Sequence, residues 1–146
     1  MSKLLGTTNQ YLAEYQTRSS EGPLVVKALI GQELFHRIEC HLPPSESVNY
    51  CLLVNSCDLI SSDESINYQL IDANGCSLDT LIVEHPDYLT DTDAVFRSWA
   101  IAFADDMASG QPSMKLDCSL TFLHRQGDEN CDELRPVCTV SPLDSK

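Results

Sequence analysis

Seven cysteines, Cys40, Cys51, Cys57, Cys76, Cys118, Cys131 and Cys138, are the residues of this 146-residue chain best suited to chemistry. Thiols can pair oxidatively, hold a metal or act as nucleophiles, and spacing and charge discriminate among these. No two of them stand as C-x-x-C, so neither the short knuckle of a zinc site nor a thioredoxin-type redox pair is present. A nucleophilic thiolate needs an electropositive setting, and here 22 acidic residues face 9 basic ones, for a net charge of -13. Disulfides need no proximity in sequence, and such cysteine usage is typical of oxidising, extracellular compartments. The alternative is a reduced protein with buried thiols. Because seven is odd, one cysteine is left over, and it marks either an intermolecular crosslink or a partner absent from the sequence.

The other reactive side chains assemble into nothing comparable. His36, His41, His85 and His124 are scattered, and each reads as an exposed or hydrogen-bonded residue. There is no G-x-S-x-G, no Gly-rich phosphate loop and no H-E-x-x-H, so no catalytic residue, cofactor or metal is expected, and the chain reads as a non-enzyme. The acidic run Asp87, Asp91 and Asp93 invites a calcium site, but it lacks the turn glycine and closing glutamate of a dedicated loop and reads as solvated surface. Nucleic acid and anionic membranes need clustered Lys and Arg. Instead, no Lys or Arg occurs between Arg37 and Arg97 while eleven acids do. No apolar run approaches the ~18 residues of a membrane span, and Met1–Gly6 is too short an apolar stretch to read as a secretory signal.

The elements that must position the cysteines read as short strands. Residues 1–21 lack a period and read as a leader or linker. Leu24–Ile30 is aliphatic and stops at Gly31, and Glu33–Cys40 follows it as a second strand. After the Pro43-Pro44-Ser45 break, Asn49–Val54 restarts the chain. Ile66, Tyr68 and Leu70 alternate with polar residues up to the Asn74-Gly75 turn. Val95, Trp99, Ile101 and Phe103 share one parity. Met114, Leu116, Cys118, Leu120 and Phe122 share another, with Asp105–Pro112 read as a hairpin between the two strands. About seven strands with frequent breakers predict an all-β, immunoglobulin-like antiparallel β-sandwich stapled by disulfides, spanning residues 22–140 with a tail at 141–146. Cys118, mid-strand on an apolar face, suits a bridge between the two sheets.

Taken in order, the cysteine contexts carry a resemblance. Gly22-Pro23-Leu24-Val25, Ile30–Cys40, Tyr50–Cys57, Leu70–Asp79, Tyr88-Leu89-Thr90-Asp91, Phe103–Asp106, Leu116-Asp117-Cys118, and Cys131 with Arg135–Cys138 together resemble the C-terminal half of a zona pellucida (ZP) domain in its cuticlin-type form. The likeness covers about residues 22–138. It implies a secreted, disulfide-stapled, immunoglobulin-like module that pairs with an N-terminal ZP half and assembles with other ZP-domain proteins or with itself into a cuticle or other extracellular matrix. A monomeric extracellular binding module, such as part of a receptor or adhesion ectodomain, is the alternative use of the same fold.

The family arrangement further implies a Cys57–Cys118 bridge, with Cys76 joined to the terminal pair Cys131 and Cys138. Cys40 and Cys51 flank the Pro43-Pro44 turn, where a local bridge is sterically reasonable. Relatives commonly carry a cysteine shortly before the Gly-Pro element, where this sequence has Ala13-Glu14-Tyr15-Gln16, and that absence accounts for an odd count. An N-terminal ZP half, a basic cleavage site after Cys138 and an anchor are further departures from the family pattern.

Overall fold

The computed structural model describes residues 2–8, 11–19, 29–108 and 114–139. In chain order they form β1 (Ser2–Thr8), β2 (Tyr11–Ser19), β3 (Glu33–His41), the one-turn helix α1 (Pro44–Ser47), β4 (Tyr50–Ile60), β5 (Asn67–Ile71), β6 (Asp87–Thr90), β7 (Asp93–Trp99), α2 (Ala104–Ala108), β8 (Lys115–His124) and α3 (Cys131–Leu134). All strand pairs are antiparallel. One sheet runs β1-β2-β3-β7-β6 and the other β5-β4-β8. The result is the all-β, disulfide-stapled sandwich that the strand pattern predicts. None of the described helices is long and apolar enough to cross a membrane.

The sheets meet face to face because β3 and β7 alternate inward and outward residues. β3 and β7 contribute Ile38, Ala94 and Phe96, and the opposite sheet contributes Leu52, Val54 and Leu59 from β4, Leu70 and Ile71 from β5, and Leu116 from β8. One polar pair is enclosed with them. His36 Nε2 lies 2.6 Å from Ser98 Oγ, and its ring stacks on Phe96 with centroids 5.0 Å apart. Burial lowers the His36 pKa to about 3, which keeps the ring neutral, as a hydroxyl-bonded imidazole in an apolar core must be.

Three local expectations are corrected, and a fourth falls mostly outside the described residues. Residues 2–8 and 11–19, read as a leader, form β1 and β2, and β2 pairs with β3 from Leu12↔His41 to Ser19↔Leu34. Backbone hydrogen bonding, which needs no apolar period, is what recruits that segment. The strand expected at Leu24–Ile30 falls mostly outside the described residues, while Leu29 and Ile30 lie in an exposed turn closed by Gly31 at φ 89°.

The next correction concerns Asp105–Pro112, which does not connect a hairpin. β7 pairs with β3 and β6, whereas β8 pairs with β4 in the other sheet, so the connection, with α2 at its start, crosses the sandwich. Lastly, the inward face of β7 is Ala94, Phe96 and Ser98, the parity opposite to Val95 and Trp99. Trp99 faces outward at no cost because the Arg97 guanidinium covers its ring at 5.2 Å and is itself held by Glu33 and Glu84.

Candidate functional site: the disulfide framework

Six cysteines pair. Cys51 of β4 joins Cys131 of α3, Cys57 of β4 joins Cys118 of β8, and Cys76, in the loop after β5, joins Cys138. Cys57 and Cys118 are direct register partners on β4 and β8. The bridge therefore lies within one sheet, and the expected intersheet role is corrected: the apolar face was identifiable from alternation, but the neighbour across it was not. The expected Cys40–Cys51 bridge is also absent. β3 and β4 belong to different sheets, so Pro43-Pro44 opens a crossover through α1 rather than a hairpin, and Cys51 turns to α3 instead.

Cys40 is the free thiol among these, 6% exposed on the inner face of β3. Burial, with a smaller contribution from the Asp93 carboxylate, pushes its pKa up to about 12. Such a thiol is neither nucleophilic nor accessible, which overturns the reading of the seventh cysteine as an intermolecular crosslink.

Around the bridges a second, non-covalent clamp ties the sheets. Asn130 caps α3 by accepting from Asp132 N at 2.9 Å, and the short helix delivers buried Cys131 and then Arg135. Arg135 reaches across the molecule. Its Nε donates to Leu52 O at 2.7 Å, one terminal nitrogen to Asp91 O at 3.1 Å and the other to Asp132 Oδ1 at 3.0 Å. Its guanidinium lies 3.7 Å from the ring centroid of Tyr88. Tyr88, on β6 in the five-stranded sheet, accepts a 3.0 Å hydrogen bond at its hydroxyl from Val54 N of β4 in the other. That amide sits at the β4 irregularity between Val54 and Ser56, where the ladder with β8 shifts register. Sequence reading flagged the stretches containing Tyr88 and Arg135 but not their meeting, which spans 47 positions.

The loop carrying Cys76 is shaped by Asp72, whose carboxylate accepts from Asn74 N at 2.9 Å and Cys76 N at 3.0 Å. Gly75, at φ 80°, lies so close to β4 that a Cβ there would be 2.8 Å from Val54 O. Loop, β6 and C-terminal segment together wall a cleft of about 310 Å³ lined by Leu53, Gly75, His85, Tyr88, Arg135 and Cys138, among others. His85 Nδ1 accepts from Ser77 N at 2.9 Å, and a His85 ring nitrogen and the sulfurs of Cys76 and Cys138 all lie within 4.8 Å of one another.

The remaining candidates stay apart. His41 is exposed, and His124 meets Tyr50 edge-on at 5.5 Å. The acids Asp87, Asp91 and Asp93 do not converge. Asp91 pairs with Arg125 at 3.0 Å, Asp93 lies 3.8 Å from Arg37, and Asp87 lines the cleft. His36 and Ser98 have the composition of a base and its nucleophile, but at 1% and 0% exposure no substrate can reach them.

An all-β sandwich held by three interlaced disulfides and an arginine clamp defines a disulfide-stapled β-sandwich module as the class. The comparisons supply the family. A family model described as the cuticlin C-terminal domain matches residues 10–142, so the chain belongs to the cuticlin C-terminal domain family. Among curated relatives, Cuticlin-4 of Caenorhabditis elegans is 27% identical over 131 residues, covering 89% of this chain and 24% of the relative. Cuticlin-3 of the same organism is 29% identical over 119 residues, covering 81% and 28%. Cuticlin-5, also of C. elegans, is 28% identical over 125 residues, covering 85% and 29%. The chain thus spans about a quarter of the length of these relatives.

Proposed function

We propose that this chain is a non-enzymatic structural module of an extracellular matrix, a cuticle above all, and that it acts as the C-terminal half of a ZP-type assembly unit. The observation that carries this reading is the family match at residues 10–142, which encloses every strand from β2 to β8 and every bridged cysteine. Its partners are further cuticlin-like or ZP-domain chains, or copies of itself. Cys40 being buried, assembly proceeds through backbone edges rather than through a free thiol. Among the described residues β5 and β8 are the outermost strands of their sheet, and sheet edges are templates for pairing with another chain.

The test is secreted expression of the chain alone and together with an N-terminal ZP half, followed by light scattering and by localisation of the tagged protein in a cuticle-forming animal. Concentration-dependent polymers and cuticular deposition are expected. A chain that stays monomeric with the supplied half and does not enter the matrix overturns the proposal. The open cleft beside Tyr88 and Arg135 favours a second reading, a monomeric extracellular binding module, and that same monomeric outcome would support it.

A further inference from the structure

The three bridges differ in accessibility. Cys51 and Cys131 are 0% and 2% exposed, and Cys57 is 1% exposed with its partner Cys118 half-buried, whereas Cys76 and Cys138 are both half-buried and Cys138 lies on the wall of the open cleft, in a segment outside any strand or helix beside Val137, which is 88% exposed. Of the three bridges this is the one with neither cysteine in the buried core. Behind it stands His85, with a ring nitrogen and both sulfurs mutually within 4.8 Å. Ligand atoms around a tetrahedral Zn2+ bonded at about 2.0–2.3 Å lie about 3.3–3.8 Å apart, a spacing reached once the bridge opens, the two sulfurs separate and the imidazole closes by up to about 1.5 Å.

Ser77 N donates to Nδ1, so that nitrogen carries no proton and keeps a lone pair, as the metal-binding form of imidazole requires. Of the other charged groups lining the cleft, Asp87 favours a cation, and Asp132 and Arg135 are engaged with each other.

We infer that Cys76, Cys138 and His85 form a redox-gated site for a soft cation of the Zn2+ class. Oxidised, the site is a covalent staple. A dithiol reductant delivers two electrons, the sulfur–sulfur bond breaks, two thiols form, and the dithiol closes to its own disulfide. The cation then displaces both thiol protons to solvent, bonds to two thiolates and to the His85 lone pair in exchange for the Ser77 N–H, and takes water at the fourth position. The C-terminal segment is thereby held in both redox states, first by a covalent bond and then by a metal.

Titration of the full chain with sub-stoichiometric phosphine, alkylation and peptide mapping is expected to label Cys76 and Cys138 before any other pair. Subsequent addition of Cd2+ should raise a thiolate-to-metal absorption band that saturates at one equivalent. The oxidised chain should give no band, Cys138→Ser should lose it, and His85→Ala, which leaves the bridge intact, should weaken Cd2+ binding at least tenfold. First labelling at Cys57/Cys118 or Cys51/Cys131, absence of the band, or a His85→Ala chain that binds Cd2+ as tightly as the parent would overturn the inference.

Discussion

Cys40 of β3 stands directly opposite Ala13 of β2. Because Cys40 N donates instead to Thr92 O, on the β7 side, the pair is of the non-hydrogen-bonded kind, in which Cα atoms approach to about 4.5 Å. The unpaired cysteine thus has its register partner in the Ala13–Gln16 stretch of β2. Ala13→Cys is expected to form a fourth bridge and to raise stability by about 3 kcal/mol. The denaturant midpoint with and without reductant measures the gain. Free-thiol titration of the unfolded chain should fall from one to none, and a count of two would show that the pair does not close.

The Tyr88–Arg135 clamp predicts graded losses. Tyr88→Phe leaves the Val54 amide without its acceptor and should cost about 1–3 kcal/mol. Arg135→Met strips the donors from Leu52 O and Asp91 O together and should cost more. Since the two side chains touch, their double mutant should be non-additive by about 0.5–3 kcal/mol; simple additivity would mean that the Tyr88 hydroxyl and the Arg135 guanidinium act independently. Equilibrium urea unfolding of the four chains supplies the cycle.

Gly75→Ala meets two penalties at once, a left-handed backbone and a Cβ 2.8 Å from Val54 O. The backbone penalty alone is about 1–2 kcal/mol, and the clash is with main chain, which cannot swing away. A lowered unfolding midpoint is expected, together with faster reduction of the adjacent Cys76–Cys138 bridge. Gly127, with open space around the Cβ position, is the control site, where Gly127→Ala bears the backbone penalty without the clash.

Acid should weaken the fold through His36. Its pKa is lowered to about 3 in the folded chain, against about 6.5 when unfolded, so the unfolded chain takes up the proton first. The stabilisation is complete above about pH 6.5 and declines as pH falls toward 3, by up to about 1.4 kcal/mol per pH unit. His36→Gln, neutral throughout, should flatten that slope when stability is followed between pH 7 and 4. Asp63, whose pKa is lowered to about 2 chiefly by its Ser65 hydrogen bond, titrates below this window.

What could be read from residue order was whatever rests on alternation or on local turn chemistry. β8 shows its inward row of Leu116, Cys118, Leu120 and Phe122, and Gly75 its positive φ. Side-chain size misled in β7, where small Ala94 and Ser98 face the core because His36 and Phe96 fill the space above them. β2 was invisible because its pairing is made by backbone groups common to every residue. The arginine clamp escaped for another reason. No local pattern records that Arg135 will meet a carbonyl 83 residues earlier.

The covalent lacing also sets how the chain bears load. Pulled from its two ends, it transmits force along the shortest bonded route, which enters at Cys51, crosses to Cys131 and bypasses the 80 positions between them. About 65–70 residues can then extend, to roughly 230 Å instead of the roughly 500 Å of the unlaced chain. β4, β5 and most of the apolar core lie within the bypassed loop and feel no direct tension. Opening Cys76–Cys138 leaves that route unchanged. Opening that bridge therefore changes the redox state of the chain without lengthening the route that carries the load.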